Sequence, residues 1–241
     1  MPVNGTVWQL WANGQPLTPA RWPNAQVWTE DWWDIDKSWA FFDSGTACGN
    51  GVDAGTRNPG PGEDGHSSLA EEGVSFDGCN LIINNEHWKT RRYTVQGHAV
   101  GTGNFTYTPL GDNTLCQTYA DDLSHAKYFV DGCAAAFDAA GEWYADDLGR
   151  LVVRLPSGVD DISSVAWTGK VNTYAFAFYE TPNLVLRGLS FYGTTVLVYE
   201  SWNATIAGCK FTCAAAASDA LDPHRLDGSA AADQRIHRRL P

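Results

Sequence analysis

Two glutamates, Glu180 and Glu200, occupy the same place in two copies of one sequence frame. The first copy reads Tyr179-Glu180-Thr181-Pro182-Asn183-Leu184-Val185-Leu186-Arg187-Gly188-Leu189-Ser190-Phe191 and the second Tyr199-Glu200-Ser201-Trp202-Asn203-Ala204-Thr205-Ile206-Ala207-Gly208-Cys209-Lys210-Phe211. The offset is 20 residues and the shared frame is Y-E-x-x-N-x-x-[LI]-x-G-[LC]-x-F. If the copies stack as neighbouring strands, the two carboxylates lie one strand spacing apart, about 5 Å, where two full charges repel by roughly 1 kcal/mol in water. Such a pair either points into solvent, where the penalty is screened, or shares a proton or a cation and becomes an acid/base pair or a Ca²⁺ site. A repeated position is explained by stacking geometry alone, so the solvent-facing arrangement is the expected one.

A second set of candidates is aromatic. Seven of the eleven tryptophans fall in the first 39 residues: Trp8, Trp11, Trp22, Trp28, Trp32, Trp33 and Trp39. In a small lobe most of these are expected to fill the core. Trp32 and Trp33 are the candidates for stacking on a sugar ring, because adjacent residues of a strand cannot both face inward. Beside them Glu30, Asp31, Asp34 and Asp36 offer oxygen ligands for Ca²⁺, but no calcium-loop spacing is met and a solvated acidic loop is expected instead. No other cofactor or metal is called for. Gly101-Thr102-Gly103-Asn104-Phe105-Thr106 lacks the third glycine of a dinucleotide loop, Gly169-Lys170 lacks the upstream glycine of a phosphate loop, and neither G-x-S-x-G nor H-E-x-x-H occurs. His66, His87, His98 and His125 share no motif.

The elements that must position these residues follow from the period. A pair of helices needs about 30 residues or more per repeat, whereas one turn of a coiled parallel sheet fits in roughly 20. The sequence therefore predicts an all-β protein: right-handed parallel β-helix coils over residues 161–217, preceded by a β-rich N-terminal lobe over 1–160. In the coils Leu184/Ala204, Leu186/Ile206, Leu189/Cys209 and Phe191/Phe211 are predicted to point inward and Asn183 to ladder with Asn203, with a partial third coil over 165–178. In the lobe, Asn13-Gly14 predicts a hairpin, residues 43–66 a long exposed loop, Ser68-Leu69-Ala70-Glu71 a capping box on the lobe's one clear helix, and Asp146-Asp147-Leu148-Gly149 a second hairpin turn. Residues 218–241 are polar, Arg-rich and aperiodic, and are expected to be a disordered or non-native tail. That ending, which would leave a last coil uncovered, suggests an incomplete chain.

Composition narrows the partners. With 44% hydrophobic and 18% charged residues, 24 Gly and 11 Pro, the chain is turn-rich and can bury a substantial core. A net charge of −12 repels nucleic-acid phosphates and anionic lipid, so nucleic acid is excluded as an expected partner. No apolar stretch reaches membrane-spanning length, and Met1-Pro2-Val3-Asn4 does not open an export signal. Six cysteines lie at positions 48, 79, 116, 133, 209 and 213 without a C-x-x-C pair; Cys209, at the repeat position of Leu189, is expected as a buried apolar side chain, and disulfides among the others are open. Arg21, next to the bend set by Pro23, is expected to anchor a turn through backbone carbonyls.

Ala20-Arg21-Trp22-Pro23-Asn24 resembles the A-R-[YW]-P-N segment near the start of many pectin-lyase-like right-handed parallel β-helix proteins, and Gly141-Glu142-Trp143-Tyr144, with the strand 151–155 and Pro156 after it, resembles the G-E-W-[YF] hairpin that leads into their coils. The order of the segments is similar too, over residues 7–217. Ala140 stands where the family often has Pro, and Leu155 where an aromatic often precedes the proline. The resemblance implies a glycan-related role, since the superfamily holds polysaccharide lyases, glycoside hydrolases and carbohydrate-binding or adhesive surface proteins. It implies no catalytic residue here, because those of the family line coils later than the two in this chain.

These readings combine into an extracellular or cell-surface β-helix protein related to polysaccharides, lyase- or hydrolase-like or simply glycan-binding, present as an incomplete and inactive piece. The alternative is a non-enzymatic structural or adhesive surface module. An enzyme needs a groove with paired carboxylates or a base beside a metal, and the coils offer only Glu180 and Glu200 toward that.

Overall fold

The computed structural model describes residues 7, 9–26, 29–30, 34–46, 49–55, 68–86, 89–109, 126–171 and 174–213. They fall into two compact units, one of Leu10–Thr168 and one of the residues from Gly169 onward together with Val7 and Gln9.

The larger unit, Leu10–Thr168, opens on the predicted hairpin. β1 (Gln9–Ala12) pairs antiparallel with β2 (Gln15–Pro16), and Asn13 (φ 51°) and Gly14 (φ 77°) supply the two positive backbone angles that a tight hairpin turn requires. After β3 (Thr18–Pro19), β4 (Arg21–Trp22) and the short helix α1 (Ile35–Ser38) come β5 (Ala40–Phe41), β6 (Ser44–Thr46), β7 (Asn50–Val52), β8 (Asn80–Glu86), β9 (Lys89–His98), β10 (Asn104–Pro109) and β11 (Lys127–Asp131). The main sheet runs β4-β11-β8-β9-β10-β7-β6 with β5 also on β11, and every pair is antiparallel.

Period-two alternation lays down its core. Leu81 and Ile83, Tyr93 and Val95, Phe105 and Tyr107, and Tyr128 and Val130 all turn to one face and are buried, where Phe42, Leu69, Phe76 and Trp22 pack on them. A disulfide between Cys79 and Cys133 closes the cluster. The strand β11 is not among the elements expected from the sequence, although Ala126, Tyr128 and Val130 alternate with less buried neighbours as a half-buried strand should.

Two expectations for this unit are corrected. Residues 43–55 are not a loop: β6 and β7 form a hairpin there, and Asp53 is fully buried. The glycines that suggested a loop serve close packing, since a Cβ on Gly51 would meet the Phe42 and Phe105 rings at 2.5 Å. Residues 56–66 of the expected loop lie outside the described residues. The Ser68 motif starts a single 3-10 turn, Leu69–Glu71, with the Glu71 carboxylate accepting from the Ser68 backbone N–H as a capping box should, and α1 is a further helix.

β12 (Glu142–Ala145) and β13 (Leu151–Val153) form the second predicted hairpin. Asp146 organises its turn by accepting from the Leu148 and Arg150 N–H groups, and these bonds hold its carboxyl below the usual range. β3 joins β12 in parallel, with Glu142 opposite Thr18 and Trp143 opposite Pro19.

β14 (Trp167–Lys170) leads into the second unit, whose strands are β15 (Tyr174–Tyr179), β16 (Val185–Arg187), β17 (Ser190–Tyr192), β18 (Thr195–Tyr199), β19 (Thr205–Ala207) and β20 (Lys210–Thr212). They form three two-stranded parallel sheets, β15-β18, β16-β19 and β17-β20. Leu186 faces Ile206, Phe191 faces Phe211 and Tyr179 faces Tyr199, so the sequence repeat is the strand register. The protein is thus all-β, mostly antiparallel, with parallel pairing concentrated at residues 174–212.

Three details of the repeat differ from expectation. Residues 174–178 belong to β15 of the first rung, not to a separate third coil. Leu189 is exposed and Cys209 only half-buried, because both follow the glycines that turn the chain between strands and so sit at a corner instead of on an inward face. On the second rung Ile206 and Phe211 are 46% and 39% exposed, while Phe191 on the first is only 7% exposed. Phe211 stacks on Phe191 with ring centroids 4.8 Å apart, covering it without being covered by another described residue in the same way. Truncating the covered ring, Phe191→Ala, should therefore cost about 3–5 kcal/mol in urea unfolding, and Phe211→Ala roughly half of that.

Candidate functional site

The repeated turns between β15 and β16 and between β18 and β19 carry the densest cluster of chemically useful side chains in the second unit. Four non-glycine residues there adopt left-handed backbone angles: Glu180 (φ 47°), Asn183 (φ 56°), Glu200 (φ 46°) and Asn203 (φ 56°). Asn accepts that conformation readily; for Glu it is an uncommon one that the surrounding bonds must hold. They do so rung by rung. The Glu180 N–H donates to the Tyr199 carbonyl and the Asn183 N–H to the Trp202 carbonyl, both at 3.0 Å. Ser201 Oγ accepts from the Thr181 N–H, and the Asn203 side-chain amide donates to Asn183 Oδ1, which is the predicted ladder.

What these turns present to solvent is a ridge of rings and acceptors. The Tyr179 and Tyr199 rings lie 5.9 Å apart, Tyr199 is 46% exposed, and Trp202, which takes the repeat place of Pro182, is 63% exposed. Glu180 and Glu200 are both exposed on the same turns. The neighbouring Glu200 carboxylate, and then the charge of Glu180, push the pKa of Tyr199 up. Sequence reasoning singled out Glu180 and Glu200, which stand on equivalent turns, but overlooked the rings beside them, although Tyr179, Tyr199 and Trp202 stand in the same quoted frame. Rings with polar tips next to carboxylate and amide acceptors are the means by which a surface holds a polyhydroxylated ligand.

The other sequence candidates fare differently. Trp32 and Trp33 lie outside the described residues, as do Asp31 and the side chain of Asp36. Glu30 is exposed and Asp34 pairs with Lys37 at 3.5 Å. Among the described residues no three His, Cys, Asp or Glu side chains converge as metal ligands. Trp11 and Trp22 are core residues, as expected of most tryptophans here. No helix of the described residues is long and apolar enough to cross a membrane.

A buried ionic network in the larger unit invites comparison with a catalytic site. Glu142, 3% exposed, accepts from the Arg21 N–H through Oε1 and from the Asp138 and Ala139 N–H groups through Oε2. Arg21, equally buried, donates from Nε to the Pro23 carbonyl and from Nη2 to the Ser38 carbonyl, and its guanidinium lies 3.9 Å from the Phe129 ring centroid. This is the turn-anchoring role expected of it. Asp131 accepts from the Asn80 amide, whose oxygen accepts from Arg92. Burial pushes Arg21 down to about 10 and raises both Glu142 and Asp131, the latter against the pull of Asn80, Arg92 and Arg21. The hydrogen bonds of Glu142, and those of Arg21 to Pro23 and Ser38, go to backbone groups, which is the signature of a structural lock.

No protein-family model matches the chain, and no curated protein does. Among solved structures, one titled "Glycoside hydrolase" superposes with a TM-score of 0.47 and 13% identity, over 79% of this chain and 32% of that one. The chain thus spans about a third of that structure's length. At this level of superposition the likeness assigns no activity.

Two outcomes follow for the lock. Glu142→Gln would aim an amide NH₂ at backbone donors and should cost about 1–3 kcal/mol in urea unfolding. A carboxyl whose folded pKa is raised contributes stability that is fully present below its unfolded value, about 4, and is lost as pH rises through the folded value. Asp131→Asn should therefore flatten the decline in stability between mildly acid and neutral pH, read as urea midpoints against pH relative to the unsubstituted protein.

Proposed function

We propose that this is a glycan-binding protein of the extracellular or cell-surface kind, in which residues 174–212 are coils of a right-handed parallel β-helix and a polysaccharide lies across the turn ridge. The coil reading is supported by parallel pairing of three successive strands with their repeat counterparts, and the hand by the strong preference of parallel crossovers. The observation that carries the binding reading is the exposed ridge itself: Tyr179 against Tyr199, Trp202 largely in solvent, and Glu180, Glu200, Asn183 and Asn203 on the same two turns. Trp202 does not stand alone in water, since the exposed Tyr199 lies three residues before it, and grouped exposed rings mark interaction surfaces. The Cys79–Cys133 disulfide supports an oxidising compartment. The role assigned to the ridge is binding, with no bond cleavage attributed to Glu180 and Glu200.

A structural or adhesive module is the second reading. It is favoured by the exposure of Ile206 and Phe211 on the second rung, an apolar face of the sort that stacked repeats bury against a following element.

Affinity electrophoresis through gels cast with individual polysaccharides separates the two. Trp202→Ala and Tyr199→Ala should each weaken retardation about tenfold or more while leaving the urea midpoint unchanged, since both side chains are substantially exposed. Failure of every polysaccharide to retard the unsubstituted protein would leave the structural reading in its place.

A further inference from the structure

Resting on that binding reading, we infer that Glu180 and Glu200 are specificity-determining residues that restrict the ridge to neutral polysaccharides and turn away polyuronates and other acidic glycans.

The argument begins with the placement of the two charges. Both glutamates hold the same left-handed backbone angle, and the Glu180 turn is tied to the Glu200 turn by the Glu180 N–H on the Tyr199 carbonyl and the Thr181 N–H on Ser201 Oγ, so the two side chains leave equivalent points of the two turns. The register of β15 on β18 puts the two turns one strand spacing apart, about 5 Å. Both carboxylates are exposed, and neither has an ion-pair partner among the described residues. The cations of the two rungs belong to other strands: Arg187 ends β16 opposite Ala207, and Lys210 begins β20 opposite Ser190. Lys170 on β14 is buried. Among the described residues the two turns therefore carry negative charge with no cation paired to it.

Those charges act at the rings that would hold the ligand. Tyr199 directly precedes Glu200 and pairs with Tyr179 across the strands, and its ionisation is opposed by Glu200 first and by Glu180 as well, so both negative charges are felt at the ring's polar end. A polymer lying over Tyr179, Tyr199 and Trp202 must pass beside both. A polyuronate carries one carboxylate per sugar and cannot cross two rungs without setting charge beside charge. A neutral chain brings hydroxyl donors instead, and hydrogen bonds from these to carboxylates are charge-assisted.

A bridging cation would reverse this logic, as it would let two rows of carboxylates share one ion. The ridge is poorly equipped to hold one. The neutral oxygen of the ladder, Asn183 Oδ1, already accepts from Asn203, and no metal-ligating group of three occurs among the described residues. Because the carboxylates are exposed, the exclusion must weaken as added salt screens it, which distinguishes it from exclusion by shape.

The test uses the full chain in native gels containing, separately, xylan, mixed-linkage β-glucan, mannan, polygalacturonate and alginate, each at low and high sodium chloride and with either EDTA or Ca²⁺. At low salt with EDTA, at least one neutral polymer should retard the protein and neither polyuronate should. The double variant Glu180→Gln/Glu200→Gln should raise the ratio of polyuronate to neutral affinity about tenfold at low salt, and by less at high salt. Retardation of the unsubstituted protein by polygalacturonate or alginate as strong as by a neutral polymer, with EDTA or only with Ca²⁺, would overturn the inference while sparing the binding reading. So would a neutral binder whose double variant shows no change in that ratio. Loss of retardation by every polymer would overturn both. Circular dichroism of the double variant checks that it is folded, and Trp202→Ala in the same gels locates the neutral binding on the ridge.

Discussion

A carboxylate taken out of water must be met by donors, and the larger unit is arranged around meeting one. Glu142 is buried and accepts three backbone N–H groups, one from Arg21 and two from the turn at Asp138 and Ala139. The guanidinium of Arg21 is buried in turn by carbonyls on either side of α1 and by the face of Phe129. Between them runs Ala20, whose N–H donates to the Trp143 carbonyl and whose carbonyl accepts from the Gly132 N–H, so it joins the small β3-β12-β13 sheet to the main one. Asn24 adds a bond to Asp138. Removing the Glu142 carboxylate would leave three backbone N–H groups without their acceptor, and removing the Arg21 guanidinium would leave the Pro23 and Ser38 carbonyls without their donor, so each side chain fixes the segments that converge on it.

The second unit depends on a different constraint. Its strands are only three to six residues long, and each finds its partner in the other rung. Register is then set by what repeats: the left-handed corners at Glu180 and Glu200 and at Asn183 and Asn203, the amide ladder, and the stacked rings of Phe191 and Phe211. A slip of one residue would put an inward ring outside and a β-region residue into a left-handed corner at once. The same register that buries Phe191 lines up Tyr179 with Tyr199 and Glu180 with Glu200 on the outside, so the chemistry of the ridge is a by-product of the stacking geometry.

Much of this was legible from the chain. Asn13-Gly14 and Asp146 to Gly149 announced their hairpins because few residues accept the required backbone angles, and the repeat announced its pairing because residues that stack on their own copies recur in phase. The strand β11 was missed because its apolar face is a single Tyr-x-Val step between a lysine and an aspartate, a weak local signal made decisive by three neighbours. Residues 43–55 were read as a loop because glycine marks both flexible turns and places where rings press on the backbone, and only Phe42 and Phe105 distinguish the two. Of the ridge, the carboxylates were found by their spacing; the rings were overlooked because an aromatic in a repeat frame reads first as core.

The two short segments Ala20 to Asn24 and Gly141 to Tyr144 show where the division falls. Their residue types and order were plain in the chain, as were the all-β character and the 20-residue period, because composition, turn chemistry and periodicity act between near neighbours. That the two segments meet, with the N–H of Arg21 on the carboxylate of Glu142 across 121 residues, was decided only by the fold. So was which tyrosine faces water and which the core, since Tyr128 and Tyr199 are the same side chain and differ in that the rings of Trp22, Phe42 and Phe105 pack on Tyr128 while Tyr199 stays 46% exposed beside Tyr179. Burial is a property of what arrives from elsewhere in the chain, and no local pattern contains it.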